Sequence, residues 1–260
     1  MLIDSHCHLD APEFDADRGA VLARARAAGV VAQIVPAVAA SGFAALAQLA
    51  RDEPDVFPGY GLHPMYLAEH RPENLDEVRG YLRDGRAVAV GECGLDFFVP
   101  GLDPARQREY FVAQVRLARE FDLPLVLHAR RAVDEVIATL RRIGGLSGVV
   151  HSFSGSEEQA RQLWKLGFSL GIGGPVTYER ANRLRRIVAE MPIEHLLLET
   201  DAPDQPDAFH RGARNEPALL PVVLSTIAEL RGVSPEHVAR QTGDNAVRLF
   251  GVSLGPGGQT

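Results

Sequence analysis

A chain of 260 residues that is 46% hydrophobic and 23% charged has the length and apolar content of one large globular domain or two small ones, which excludes fibrous, collagenous and disordered classes. Its 34 carboxylates outnumber its 27 cations, of which only Lys165 is a lysine, for a net charge of -7. That balance excludes a broad basic surface gripping duplex DNA by charge alone, so a polyanionic substrate would need local help. Two cysteines, Cys7 and Cys93, cannot build a disulfide framework, and a reducing compartment is the expectation. The start, Met1-Leu2-Ile3-Asp4-Ser5-His6, has no cationic leader, and no apolar run approaches the ~18–20 residues of a membrane helix. A cytoplasmic protein with no membrane contact is expected.

Short β-rich runs alternate with amphipathic helical stretches along the chain. The first half predicts strands at Leu2–His6, Val30–Pro36, Val56–His63 and Ala87–Glu92, followed in turn by helices at Arg18–Ala28, Phe43–Arg51, Asn74–Arg83 and Pro104–Phe121. The second half predicts strands at Leu123–His128, Gly148–Ser152, Phe168–Gly173 and His195–Asp201, with helices at Val133–Ile143, Ser156–Leu166, Tyr178–Ala189 and Pro217–Leu230. Ser156 with Gln159 forms a capping-box pattern, and Pro217 suits a first helical turn. A further helix at Pro235–Phe250 closes the chain. Eight βα units in about 250 residues is the arithmetic of an α/β (β/α)8 TIM barrel. No G-x-G-x-x-G follows the first strand, no Walker loop is present, and no composition break marks a linker. A single barrel domain over residues 1–253 is expected, with a flexible tail at 254–260.

The polar residues that end these runs form the chemical signal. They are His6 and His8 on the first, His63 on the third, Glu92 on the fourth, His128 on the fifth, His151 on the sixth and Asp201 on the eighth. In a parallel barrel these ends meet at one mouth, where active sites of this fold are built. His-x-His alone reads equally as two polar turn residues, and His128 or His151 alone reads as a satisfied core histidine. Their joint placement favours metal ligation. Strand alternation turns His6 and His8 inward and Cys7 toward the helices, so neither cysteine is given a catalytic role. A carboxylate ending an apolar strand between glycines, as Glu92 does, is costly to bury unless paired or metal-bound, and it can bridge two cations. His6, His8 and Asp201 could then hold one metal and His128 and His151 another. Mixed imidazole and carboxylate donors suit zinc or manganese better than magnesium. His63 is left for substrate contact or acid work. Asp4 and Glu199 share the inward parity one layer deeper, either as a buried anchor or as carboxylates orienting the ligand imidazoles. Ser152, Ser154 and Ser156 lack a G-x-S-x-G elbow, which argues against a serine nucleophile. Arg130, Arg211 and Arg214 are singly ordinary surface arginines, but together they offer guanidinium forks for phosphate beside the mouth.

Seven short motifs now stand in order: Asp4-Ser5-His6-Cys7-His8-Leu9-Asp10, Gly61-Leu62-His63-Pro64, Gly91-Glu92-Cys93-Gly94-Leu95-Asp96, Leu127-His128-Ala129-Arg130, His151-Ser152-Phe153-Ser154-Gly155, Leu198-Glu199-Thr200-Asp201-Ala202-Pro203 and Arg214-Asn215-Glu216-Pro217. With Gly243-Asp244-Asn245-Ala246 in the last helix, the sequence resembles the TatD family of metal-dependent deoxyribonucleases. The resemblance implies a two-metal barrel with His6, His8, Glu92, His128, His151 and Asp201 as ligands, and it admits magnesium beside zinc and manganese. It also implies hydrolysis of nucleic-acid phosphodiesters, often from the 3′ end. Three positions depart from the family pattern: Arg131 stands for a common acid, Ala213 for a common basic residue, and the acidic loop Asp204-Gln205-Pro206-Asp207 lacks the usual aromatic.

The expected protein is thus a monomeric hydrolase of DNA acting exonucleolytically, 3′ to 5′, on single strands or frayed ends. Asp201 would take the proton from the attacking water, with Glu92 and His63 completing the catalytic set. The alternative is a small-molecule amidohydrolase cleaving a C–N, ester or lactone bond. Its carboxylated-lysine variant is disfavoured because Lys165 sits on a helix and the fourth strand ends in Glu92. A non-catalytic nucleic-acid binder would leave the full ligand set without a purpose.

Overall fold

The computed structural model describes residues 1–254. Its strands run parallel in sequence order: β1 Leu2–Asp4, β2 Val30–Pro36, β3 Val56–Tyr60, β4 Ala89–Asp96, β5 Leu125–Arg130, β6 Gly148–Val150, β7 Phe168–Ile172 and β8 Leu196–Leu198. The ring closes just beyond the last strand. Ser5 N donates to Leu198 O at 2.9 Å, Asp201 N to His6 O at 2.9 Å, and His8 N to Ala202 O at 2.7 Å. The expected (β/α)8 barrel is therefore the fold. Its helices are α1 Arg18–Ala27, α2 Phe43–Asp52, α3 Asn74–Arg83, α4 Pro104–Phe121, α5 Val133–Ile143, α6 Glu157–Lys165, α7 Asn182–Glu190, α8 Leu220–Arg231 and α9 Pro235–Phe250.

Two apolar layers hold this frame. The larger lies between strands and helices, where Cys7 and Cys93 are buried as free thiols. The smaller fills the barrel: Ile3, Ala32, Ile34, Ala89, Val126, Val149 and Leu197 meet Ala246 and Phe250 of α9, which caps the lower end. Leu254 also packs against this plug. The rest of the expected tail lies outside the described residues. With the lower barrel filled by hydrocarbon, the polar strand ends are left to face the upper mouth. Among the described residues, no single helix is long and apolar enough to cross a membrane.

Several boundaries differ from the sequence expectation for local reasons. Strand β1 stops at Asp4, β3 at Tyr60 and β8 at Leu198, so His6, His8, His63 and Asp201 stand on the turns just above. Strand β4 runs on through Glu92 to Asp96, because Cys93–Asp96 stay in register with Leu127–Arg130 of β5. Helix α7 starts at Asn182 instead of Tyr178, since Pro175 opens a separate 3-10 turn at Gly174–Thr177. A 3-10 turn at Pro217–Leu219 leads into α8. The Ser156–Gln159 capping box of α6 is present in both directions.

The β4–β5 approach depends on Gly94, whose φ is +142° and where an ideal Cβ would lie 2.0 Å from the His128 carbonyl oxygen. Gly94→Ala should therefore destabilise the fold by about 1–3 kcal/mol, the usual penalty for overpacking. Gly80→Ala, in α3 with nothing within 4 Å of the added methyl, should stabilise by about 0.5–1 kcal/mol through helix propensity. Urea unfolding of the two variants checks this, and equal effects would refute the close-approach argument.

Candidate metal centre

The turn after β1 carries His6 and His8, the turn after β3 carries His63, and β4 carries Glu92. Strand β5 supplies His128, the turn after β6 His151, and the turn after β8 Asp201. All seven converge. Glu92 is 1% exposed and His6 is fully buried. The Glu92 carboxylate divides them: Oε2 lies 3.2 Å from His6 Nε2 and 3.4 Å from His8 Nε2, whereas Oε1 lies 2.7 Å from His151 Nε2, 2.9 Å from His63 Nε2 and 3.3 Å from His128 Nδ1. Asp201 Oδ1 closes the first group at 3.3 Å from His6 and 3.7 Å from His8. The His151 ring stacks on His6 with centroids 3.9 Å apart.

This donor set fits divalent cations. The Nε2 atoms of His6 and His8 face each other at 3.2 Å, and His128 Nδ1 faces His151 Nε2 at 3.3 Å. Lone pairs so placed repel unless protons or cations lie among them. Triads His6–His8–Asp201, His6–Glu92–His151 and His63–Glu92–His128 each bring their donor atoms within 4.8 Å of one another. Only the last includes His63, whose other nitrogen argues against ligation. Its Nδ1 accepts from Met65 N at 3.1 Å, which leaves the ring proton on Nε2, directed at Glu92.

The charges follow from burial and proximity. Burial opposes ionisation of Glu92, but the surrounding His151, His63 and His6 hold it well below the usual carboxylate range. Burial likewise opposes the charged form of Asp201, and the His6 hydrogen bond brings it down to about 2. Burial disfavours protonation of His6, yet Glu92 and Asp201 raise it well above an ordinary imidazole. His128 is pushed up to about 9 against its burial by hydrogen bonds to Asp96 and Glu92. Burial dominates at His151, which falls to about 4, and lowers His63.

Sequence reasoning left out several members of the site. Asp96 Oδ2 meets His128 Nε2 at 2.9 Å, while its Oδ1 accepts from Phe98 N and Val99 N at 2.8 and 2.9 Å. The signal for it was the period-2 spacing Glu92, Gly94, Asp96. Gln205 Nε2 donates to Asp201 Oδ2 and, at 2.6 Å, to Ser152 Oγ. Conversely, among the described residues neither Asp4 nor Glu199 hydrogen-bonds an imidazole ring. Asp4 accepts from Thr200 N at 3.0 Å, Thr200 Oγ1 at 2.6 Å and His6 N at 3.3 Å. Glu199 accepts from Ser152 N at 2.5 Å. Both clamp the backbone that carries His6, Thr200 and Ser152, so they position ligands through the chain instead of through imidazole tautomers.

Above the cluster opens a cavity of about 1100 Å³. Its lining includes Arg130, but neither Arg211 nor Arg214. Arg214 is committed elsewhere, to Asp17 at 2.7 and 2.8 Å, to Glu13 O at 2.7 Å and to the face of Phe14. A partner almost two hundred positions away could not be read from sequence spacing. Arg180 and Arg183, from the β7–α7 segment, line the cavity in their place.

Residues 3–251 match the family model described as TatD related DNase. The chain belongs to the TatD family. It is 41% identical over 255 residues to YjjV of Escherichia coli K12, an uncharacterized metal-dependent hydrolase, covering 96% of this chain and 98% of that protein. The crystal structure of the same TatD homologue superposes with a TM-score of 0.94 at 39% identity, over 97% of this chain and 98% of that one. It is also 36% identical over 256 residues to a 3′-5′ ssDNA/RNA exonuclease, TatD of Cronobacter sakazakii, covering 96% of this chain and 97% of that protein. This member of the family is thus a metal-dependent hydrolase whose candidate metal-binding clusters lie at the barrel mouth.

With His6 raised well above an ordinary imidazole and His128 pushed up to about 9, the site carries protons at pH 7 that incoming cations must displace. Affinity should rise as pH climbs from 7 toward 9, and protons should leave on loading. Calorimetry in two buffers of different ionisation heat measures this; a buffer-independent enthalpy would refute it. Asp96→Asn should weaken metal binding by about 10–100-fold by freeing the His128 ring, a loss of the size seen when such partners are removed, readable by competition with a chelating dye.

Proposed function

We propose that this TatD-family hydrolase cleaves phosphodiester bonds of DNA exonucleolytically, 3′ to 5′, at single strands or frayed ends, and that His6, His8, Glu92, His128, His151 and Asp201 would hold two divalent cations. The observation that carries the reading is the division of the Glu92 carboxylate, one oxygen among His6 and His8 and the other among His128 and His151. A single buried carboxylate with separate donor sets on its two oxygens is suited to bridge a pair of cations. His6, His8 and Asp201 would complete one position, and His128 and His151 the other. The donor chemistry admits zinc and manganese most readily, and magnesium also. Bound there, the cations would polarise the phosphoryl oxygens and acidify a water.

The chain's own groups supply the remainder. Asp201 is ionised at neutral pH and keeps Oδ1 toward the histidines while Gln205 anchors Oδ2, so it can accept the proton of an attacking water. His63 is neutral at that pH and holds its Nε2–H on Glu92 Oε1, from which a phosphoryl or leaving oxygen entering the cavity can take over the hydrogen bond. Asp96 holds the His128 ring. Arg130 lies at the cavity rim with its guanidinium 3.7 Å above the Phe98 ring, a flat cation suited to a phosphate or a base. The exonuclease name of the Cronobacter relative supports the polarity and the single-strand preference.

Asp201→Asn should lower kcat by at least about 10²-fold, the low end for removing a general base. Exhaustive chelation should abolish turnover and added divalent ion restore it. A panel of single-stranded DNA, RNA, duplex DNA and amide or lactone substrates at one salt concentration decides the class. Turnover of amides or lactones with no nucleic acid cleaved would replace the nuclease with a small-molecule amidohydrolase.

A further inference from the structure

The cavity rim is electrically divided. Glu13 follows β1, Glu69 follows β3 and Asp204 follows β8; Arg130 ends β5, and Arg180 and Arg183 follow β7. Because the strands run round the barrel in sequence order, the acids occupy the arc from strand eight through strand three and the arginines face them across the mouth. All six are exposed. Among the described residues, none of the six forms an ion pair within 4 Å. The guanidinium of Arg183 is held by Ser154 O at 2.9 Å, and those of Arg130 and Arg180 stand 3.7 and 5.4 Å from the Phe98 and Tyr178 rings. Each is steadied by neutral groups, with its charge left for a ligand.

The acidic arc carries a second feature. Met65 and Tyr66, 43% and 41% exposed, line the cavity there. Glu13, Glu69 and Asp204 line the same cavity as this pair, and partial burial with the fields of the three carboxylates raises the Tyr66 hydroxyl above the ordinary phenol range. A flat apolar platform ringed by unpaired carboxylates receives an uncharged aromatic group and repels an anion.

We propose that the mouth reads the charge of a strand end: the outermost nucleoside, which has no phosphate beyond the scissile one, lies on the Glu13–Glu69–Asp204 arc against Met65 and Tyr66, and the following phosphates run over Arg130, Arg180 and Arg183. This rests on the phosphodiesterase reading and adds the physical basis for acting at ends. An internal linkage, or an end bearing an extra phosphate, brings an anion among three carboxylates, where the guanidinium beside Glu13, that of Arg214, is already paired with Asp17. A terminal hydroxyl brings none.

The test uses the metal-loaded full chain at low ionic strength with three single-stranded DNAs: one ending in a 3′-hydroxyl, the same strand ending in a 3′-phosphate, and a closed circle. The 3′-phosphate should slow release of the last nucleotide by at least about tenfold, and the circle should resist, with discrimination shrinking as salt screens the rim. Glu13→Gln with Glu69→Gln should narrow the discrimination by at least about fivefold. Arg180→Ala with Arg183→Ala should raise KM for a decanucleotide more than for a dinucleotide, which a general loss of stability would not do. Equal rates on the two linear ends, or unchanged discrimination in the carboxylate variant, would overturn the proposal while leaving the phosphodiesterase intact. Cleavage of none of the three strands would instead overturn the underlying reading, and this proposal with it.

Discussion

A carboxylate taken out of water is the constraint from which the upper half of this barrel follows. Removing one charge from solvent costs several kcal/mol even after relaxation, unless other charges or hydrogen-bond donors surround it. Glu92 is buried in the middle of β4, and five imidazoles stand within 2.7–3.4 Å of its oxygens. The histidines in turn crowd one another. The cluster is an arrangement of mutually repelling donors that only protons or cations hold together, which is why its metal-free histidines are driven to such different affinities for a proton.

The frame around this cluster is built to resist that strain. The barrel seam joins the turn after β1 to the turn after β8 through backbone hydrogen bonds made by Ser5, His8 and Asp201, so two donor-bearing turns are tied to each other directly. Asp4 adds two bonds across the same seam, from Thr200, and one within its own turn, from His6 N. Below, the dry plug under α9 excludes water and leaves the polar residues one direction to face. The placement of the donor side chains and the closure of the fold therefore use the same few residues.

Around the mouth, the loops divide the work. Those after β5 and β7 present arginines to the cavity, whereas those after β1, β3 and β8 present carboxylates. An acidic protein with a net charge of -7 can in this way offer a positive surface to a polyanion over a short arc only. The division suits a substrate whose charge is itself uneven, and a strand end is such a substrate.

The amino-acid sequence alone determined the alternation of elements, the barrel, the family and the seven side chains at the strand ends, because period-2 and helical patterns and the polar residue ending each run are local properties of the chain. Asp96 was within reach of the same parity argument, and it went unassigned only because the fourth strand was ended at Glu92. Tertiary structure decided the rest. Which Glu92 oxygen faces which histidine depends on how five turns meet, not on any one of them. Arg214 was read as a phosphate contact until the fold set it on Asp17, and Arg180 and Arg183, unassigned within the helix expected at Tyr178–Ala189, line the cavity from just before α7 and from its first turn. Asp4 and Glu199 had the parity of imidazole partners, but the fold gave Asp4 the Thr200 amide across the closing seam and Glu199 the Ser152 amide after β6. Pairing between residues far apart in the chain is set by closure of the ring, and no local pattern encodes it.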